Sequence, residues 1–352
     1  MSGRVGPAKL RDVAEAAGVS ISTVSRVFSS PELLSDATVT HVRSVARRLR
    51  FTPNVVARAL ITGVAANIGL IVPDITNPYM TRLLKAAQGR SRSSSVGVLV
   101  ADTDDDAAIE RQVAEELARQ SRGLILCAPR MSAENLKSIA DMVPLVLVNR
   151  VVDGIASIHT DSGHALHEIV DELVRLGHRR LAYLPGPSGS WANGERERAI
   201  VERATSHGAE VVVLDATSAT HEDGIRAAEA VVAGGASGVL AFDDVLASGL
   251  IEGLRREGLS VPGDISVVGH DDVLAELVQP ALTTVRAQSA RVGRLAVDLL
   301  LDDADDAGAH SVAVQAEAVY RSSVGEAPQS SNGSIGLSHA SSLLTPDTES
   351  ST

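Results

Sequence analysis

Between Asn67 and Gly269 short β-rich apolar runs alternate with stretches of helical character, and this alternation constrains the fold more than any other feature. The runs are IGLIV, VGVLV, GLILC, PLVLVN, SIHT, RLAYL, EVVVL, GVLAF and ISVVG. Helical segments of roughly 12 to 18 residues separate most of them, which is the pattern of βαβ units building parallel sheets. So many strands in about 260 residues fit two doubly wound lobes better than a single sheet.

The chain before Asn67 reads differently. Leu10, Val13, Ala14 and Ala17 fall at i, i+3, i+4 and i+7, one apolar stripe of a short helix. Gly18 suits the left-handed position after that helix, and Ser20 can cap the next one through its hydroxyl. The next helix, predicted over Ile21–Phe28, points Val24, Val27 and Phe28 inward and leaves Ile21, Ser22, Ser25 and Arg26 at its start or outer side. Two short helices about a tight glycine turn are a helix-turn-helix, whose second helix enters the DNA major groove. A third helix is expected with Asp36 as N-cap, Val39, Val42, Ala46 and Leu49 as its stripe, and Arg43, Arg47, Arg48 and Arg50 on the exposed side for phosphate contacts. Thr52-Pro53-Asn54 starts a fourth helix, with Pro53 at the first helical position, that stops at Gly63. At about ten residues it is marginal alone in water.

The motifs VAxxAGVSxSTVSRV, FxPNxxARAL and IGLIVPDITNPY, in this order in one chain, resemble the LacI/GalR family of bacterial transcription regulators. The resemblance implies a helix-turn-helix head, a hinge helix and a two-lobed effector domain like the periplasmic sugar-binding proteins, with three crossings between lobes. We place these near Thr160-Asp161, Leu282–Thr284 and Tyr320. It also implies that Ile21, Ser22 and Arg26 read bases, Arg26 as a bidentate donor to guanine and Ile21 against a thymine methyl. Ser20, Thr23 and Ser25 join this surface, the latter two as phosphate contacts. Asn54, Val56, Ala57, Arg58 and Leu60 form the implied hinge. A leucine at the Leu60 position wedges into the minor groove, where apolar wedges unstack a base step in return for a bent duplex.

Charge is divided in the same way. The 352-residue chain carries net −12, yet residues 1–62 hold nine Lys/Arg against four acids, a net +5 that leaves −17 for the rest. A basic reading head on an acidic sensor would look like this. Cys127 is the single cysteine, which excludes an intramolecular disulfide and suggests a reducing compartment. It closes an apolar run and reads as a core thiol. With no N-terminal apolar segment and no run reaching the ~18 apolar residues of a membrane span, the expectation is a cytoplasmic protein without membrane attachment. Beyond Val324 the chain turns rich in Ser, Gly, Pro and Thr and is expected to be disordered.

In doubly wound sheets ligands bind beyond the carboxyl ends of the strands. Those ends carry Asp74 with Asn77-Pro78-Tyr79, Asn149-Arg150, Asp161, Asp243-Asp244 and His270-Asp271-Asp272. Polar groups gathered there suit a sugar or similar polyol, because each buried hydroxyl needs a partner. Of seven aromatics, Tyr79, Trp191 and Phe242 fall on predicted cleft loops. They can stack on a sugar face, or simply fill the gap between lobes. By resemblance SWANGERERA carries the effector-binding arginine, matched to Arg196, with Arg198 the alternative because Ala199 stands where the family has glycine. VPGDISVVGHDD matches the strongest C-lobe signature, making Asp271 the effector-hydroxyl ligand, with His270 where the family has Phe or Tyr. An arginine fork and a carboxylate suit vicinal hydroxyls.

Other features favour plain structural roles. His164 and His167 lie i, i+3 on a helix without an evident third metal ligand. Asp104-Asp105-Asp106 reads as a helix cap, lacking EF-hand spacing, and Asp302–Asp306 as a solvated loop. Gly186-Pro187-Ser188-Gly189 lacks the Lys-Ser/Thr of a phosphate loop, and no G-x-S-x-G elbow is present. Nothing specific supports catalysis, a metal or a cofactor.

The reading is a helix-turn-helix head over residues 1–51, a hinge helix over 52–63, a two-lobed effector-binding and dimerisation domain of doubly wound parallel sheets over 64–325, and a tail over 326–352. Function follows as a DNA-binding transcriptional regulator, a repressor acting as a homodimer or higher oligomer on a pseudo-palindromic operator, controlled by a small sugar-like effector. The alternatives are a periplasmic-type sugar receptor, which would need a signal peptide and would lack residues 9–62, and a repressor that has lost its ligand.

Overall fold

The computed structural model describes residues 8–51, 67–302 and 310–329. In the head, α1 (Leu10–Ala17) begins where the Asp12 carboxylate accepts the Lys9 N–H at 2.7 Å and ends at Gly18, with φ +66°. Ser20 caps α2 (Ile21–Ser29), its Oγ accepting the Thr23 N–H at 3.1 Å. α3 (Asp36–Arg48) is capped by Ser35 rather than by the expected Asp36, which lies in the first turn, where its charge complements the helix dipole. Val13, Val24, Val27 and Val42 are fully buried where the three helices meet. Val45 joins them, a core position missed because the expected stripe stepped from Val42 directly to Ala46; Val39 and Leu49 sit at its margin. The Phe28 and Phe51 rings close one side at 5.8 Å.

The first lobe is a six-stranded parallel sheet in the order β11-β5-β4-β3-β1-β2. Its strands are β1 (Asn67–Val72), β2 (Gly97–Asp102), β3 (Leu124–Cys127), β4 (Leu145–Val148), β5 (Ala156–Asp161) and β11 (Ser311–Gln315). α4 (Pro78–Ser93) and α11 (Ser289–Leu301) cover one face, and α5 (Ala107–Ala118) and α6 (Ala133–Ala140) the other. Side-chain alternation sorts the strands accordingly: Leu70, Ile125 and Val146 face the first pair, Ile71, Leu124 and Leu147 the second.

In the second lobe β7 (Glu210–Val213), β6 (Arg180–Leu184), β8 (Gly238–Ala241) and β9 (Ser266–Val268) are parallel neighbours in that order. α7 (Gly163–Arg175) and α8 (Trp191–Ser206) cover one face, α9 (His221–Gly234) and α10 (Asp244–Arg256) the other. β10 (Thr284–Arg286) and β12 (Glu317–Val319) pair antiparallel at its side. The expected two-lobed, doubly wound architecture is present. β10, β11 and β12 were not foreseen: two are three residues long, and β11 is a largely exposed edge strand without a continuous apolar run.

Core membership locates the crossings. Ile158 belongs to the first lobe and Ala165 to the second; Val285 lies in the second and Ala287 in the first; Val314 lies in the first and Ala316 in the second. The chain therefore crosses after Asp161 as expected. The second crossing is at Arg286 instead of Leu282–Thr284, and the third at Gln315 instead of Tyr320, because the short β10 and β12 extend the second lobe. The chain past Val324 also differs from expectation: the Ala327 N–H donates to the Leu176 carbonyl at 2.9 Å, so the first residues assigned to a disordered tail dock on the second lobe. No described helix is long and apolar enough to cross a membrane. Cys127 is buried in the first-lobe core, and burial pushes its thiol up to about 12.

Candidate functional site

The structure offers two sites of opposite character. On the head, α2 presents Ile21, Ser22, Ser25 and Arg26 to solvent, with Ile21 49% exposed. Arg26 has no carboxylate partner among the described residues, so its guanidinium fork is free to donate. Ser20 and Thr23 are differently employed: the Ser20 hydroxyl caps the helix and lies 2.7 and 2.8 Å from the Ser22 and Thr23 hydroxyls. Arg43, Arg47, Arg48 and Arg50 are exposed on and just after α3. The expected hinge residues Asn54, Val56, Ala57, Arg58 and Leu60 lie outside the described residues.

Between the lobes lies a cavity of about 440 Å³, lined from both sides by residues at the carboxyl ends of strands. From the first lobe come Asp74 and Asn77 after β1, Tyr79 at the start of α4, Arg130 after β3 and Asn149 after β4. Arg196 on α8, Phe242 and Asp243 after β8 and Asp271 after β9 face them from the second. Seven of the nine sequence-selected effector residues, Asp74, Tyr79, Asn149, Arg196, Phe242, Asp243 and Asp271, thus share one cavity.

Trp191 and Asp161 do not. They line a neighbouring cavity of about 310 Å³, separated from the first by Asn149, Ala192 and Arg196, which border both. Trp191 makes an edge contact at 5.4 Å with His159 of β5, across the lobe boundary. Burial holds the His159 imidazole below its ordinary value.

The polar groups of the main cavity are held in place. Asn149, with φ +52°, accepts the Thr160 N–H through Oδ1 and donates Nδ2 to the Tyr79 hydroxyl at 3.0 Å. Arg196 is buried, lies 4.5 Å over the Phe242 ring, donates to the Phe242 carbonyl and stands 3.6 Å from Asp271. Arg198 points outward to Glu195, so of the two candidate arginines only Arg196 turns into this cavity. Asp243 caps α10 by accepting the Leu246 N–H at 2.8 Å, and accepts Asn77 Nδ2 across the cleft at 3.2 Å. Burial, then the neighbouring Asp271, pushes both Asp243 and Asp244 up to about 7. Such preorganised donors and acceptors, beside an aromatic face, can bind a small polyhydroxyl compound.

Sequence reasoning placed Asn77 at a strand end without selecting it as an effector residue, and it missed Arg130, Ser190, Ala192 and Thr220. Arg130 obeys the strand-end rule and could have been found by it; Ala192 carries no chemical signal. Arg130 pairs with Asp105 at 2.8 Å, and Asp106 caps α5, as expected for that acidic run. No cluster of metal-ligating side chains occurs among the described residues, and His164 faces solvent beside Glu168.

Comparison with known proteins agrees with this division. Residues 9–54 match the family of bacterial regulatory proteins, lacI family, and residues 170–324 match the periplasmic binding protein-like domain. The HTH-type transcriptional regulator GalS of Salmonella typhimurium is 30% identical over 323 residues, covering 84% of this chain and 89% of its own. The ribose operon repressor of Bacillus subtilis is 27% identical over 298 residues, covering 84% and 91%. The crystal structure of the lac repressor dimer bound to operator and the anti-inducer ONPF superposes with a TM-score of 0.81 at 25% identity, covering 91% of this chain and 99% of that one. With a helix-turn-helix head, a two-lobed domain and relatives matched along most of its length, the chain belongs to the lacI family of bacterial regulatory proteins and is a DNA-binding regulator of transcription.

Proposed function

We propose that the protein is a repressor that binds a pseudo-palindromic operator as a homodimer and is controlled by a small sugar-like effector in the 440 Å³ cleft, in the cytoplasm. One head exposes a single short reading helix, and two heads on a two-fold axis read two half-sites. In each head Ile21, Ser22 and Arg26 meet base edges, while Ser25 and the arginines of α3 hold phosphates. Residues 52–63 serve as the hinge, with Leu60 as the minor-groove wedge.

The observation that carries the effector reading is the array of Asn77, Asn149, Arg196, Asp243 and Asp271 around one cavity walled by both lobes. A ligand that bonds to both walls binds the closed arrangement best, and it shifts the lobe equilibrium by its difference in affinity for the two arrangements. The lobes then carry that change to the hinges. The test is thermal melting of the full chain against mono- and disaccharides, sugar phosphates and nucleobases. A stabilising sugar that also changes operator binding supports the reading. A stabilising nucleobase with no sugar response would replace the effector class. Operator binding indifferent to every stabilising compound would replace the control mechanism.

A further inference from the structure

His270 is fully buried and hydrogen-bonded at both ring nitrogens: Nδ1 lies 2.7 Å from Asp271 Oδ1, and Nε2 lies 2.8 Å from Ser162 Oγ. Asp271 faces the cleft, and Ser162 sits where the chain crosses from β5 to α7. We propose that His270 is a positioning residue that ties the Asp271 carboxylate to the first interlobe crossing through Ser162. The proposal rests on the reading of Asp271 as an effector group.

The direction of the two bonds follows from chemistry. An ionised carboxylate only accepts, so Nδ1 carries the proton and donates to Asp271. Burial, then the Arg196 charge, lowers the imidazole to about 4, so the ring is neutral near pH 7 and Nε2 is an acceptor. The Ser162 hydroxyl must therefore donate to Nε2. The charged groups around the ring are Asp271 on its own loop, Arg196 from α8, and Asp244 of α10, whose N–H donates to the His270 carbonyl.

Ser162 already has helical backbone angles, φ −98° and ψ −3°, and the preceding Asp161 accepts the Gly163 N–H through Oδ1 at 3.1 Å, which leaves the Ser162 hydroxyl to His270. The loop itself is held by many contacts: Asp271 and Asp272 adopt φ of +98° and +55°, a left-handed region that Asp enters more readily than most non-glycine residues. Asp272 is gripped by Arg286, at the second crossing, and by Arg321, each at 2.7 Å. Arg82 of α4 donates to the carbonyls of Asp272 and Val273 from the other lobe. A ligand that draws on Asp271 therefore pulls on a loop anchored at two crossings and at the opposite lobe.

The test uses the full chain without ligand. Histidine-selective ¹⁵N NMR of the labelled protein, with the His270 signal identified by its loss in His270→Phe, should show a neutral Nδ1–H ring that does not titrate between about pH 7.5 and 5.5. Ser162→Ala should move the Nε2 resonance downfield, and Ser162→Thr should restore it. Trp191, the only tryptophan, touches His159 across the lobes and reports their arrangement by its emission. Ser162→Ala and Asp271→Asn should each shift that emission, and the double variant should shift it no more than the larger single, since residues acting as one unit are non-additive.

An Nε2-protonated ring, a ring titrating near its ordinary value, or emission shifts that simply add would overturn the relay. Asp271→Asn with unchanged sugar binding would remove the effector role of Asp271 without touching these spectra, so the two failures are distinguishable.

Discussion

The head and the cleft solve recognition in opposite ways. On the head the recognising side chains are exposed and lie within one turn and a half of a single helix, over a small core of valines and alanines. In the cleft Tyr79, Asn149, Arg196, Asp243 and Asp271 are buried and Asn77, Arg130 and Phe242 half-buried. The site is drawn from the ends of five strands and two lobes, and several of its groups are bonded to one another before any ligand arrives. A surface that reads charged phosphates and base edges gains by leaving its donors free. A site that takes up a small molecule gains by satisfying its buried groups in advance, since an unpaired one is costly. Mutation should therefore damage the fold in the cleft and spare it on the reading face.

The largest effect is expected for Arg196→Ala. Removing it leaves Asp271 buried with His270 as its remaining close polar partner, and breaking a buried pair costs about 3–5 kcal/mol. Urea unfolding of the full chain should show this loss with no ligand present. A loss under about 1 kcal/mol, typical of an exposed pair, would break the contrast between the two sites.

Arg26→Ala tests the other side. Its side chain is exposed and unpaired among the described residues, so thermal stability should hold while operator affinity falls by about 1–3 kcal/mol at one base pair, with selectivity relaxed there. Equal weakening on every sequence would make Arg26 a phosphate contact. Ser20→Ala is predicted to lie between the two, costing about 1 kcal/mol of head stability through the lost cap. Affinity measured where the head is fully folded should barely change; a large drop there would give Ser20 a direct DNA contact beyond capping.

The same contrast explains what could be read from the sequence. Local rules sufficed for the head, since a glycine turn, a capping serine and a 3.6-residue stripe act within a few residues of each other. They slipped by one position at Ser35 and Asp36, and passed over Val45 in the stripe of α3. Strand ends located most of the cleft because the βα alternation fixes which end of each strand faces the ligand side. Composition could not say that Trp191 and Asp161 turn into the neighbouring cavity, or that Arg196 rather than Arg198 faces the main one. For Trp191 and the two arginines the outcome depends on the rotation of α8 about its axis, set by the burial of Ile200 and Ala204 against the sheet, whereas Asp161 is placed by the end of β5. His270 stood out only as a departure from the family pattern; its link to Ser162 spans 108 residues and required the fold.

A reduced net effect is expected from pH, because two parts of the cleft oppose each other. Asp243 and Asp244 are raised to about 7, so the folded state binds protons that the unfolded state, titrating near 3.8, does not. Their contribution grows as pH falls from about 7 toward 4 and is lost as it rises through 7. His270 is lowered to about 4 from 6.5, so its contribution is present above 6.5 and is lost as pH falls through 4. Across pH 5 to 7 these contributions run against each other, and the two acids outweigh the single imidazole by about one proton, so their sum favours stability as pH falls. Asp243→Asn keeps an oxygen for the Leu246 N–H but removes one of the two titrating acids, so the gain on acidification should shrink toward a flat profile. His270→Phe removes the opposing group and should tilt the profile the other way. His178, lowered by its own burial, is common to both variants and cancels in the comparison. Urea unfolding of the three proteins at pH 5, 6 and 7 decides the matter: slopes that change together, in one direction, would mean that the buried acids and the imidazole do not titrate as opposing groups.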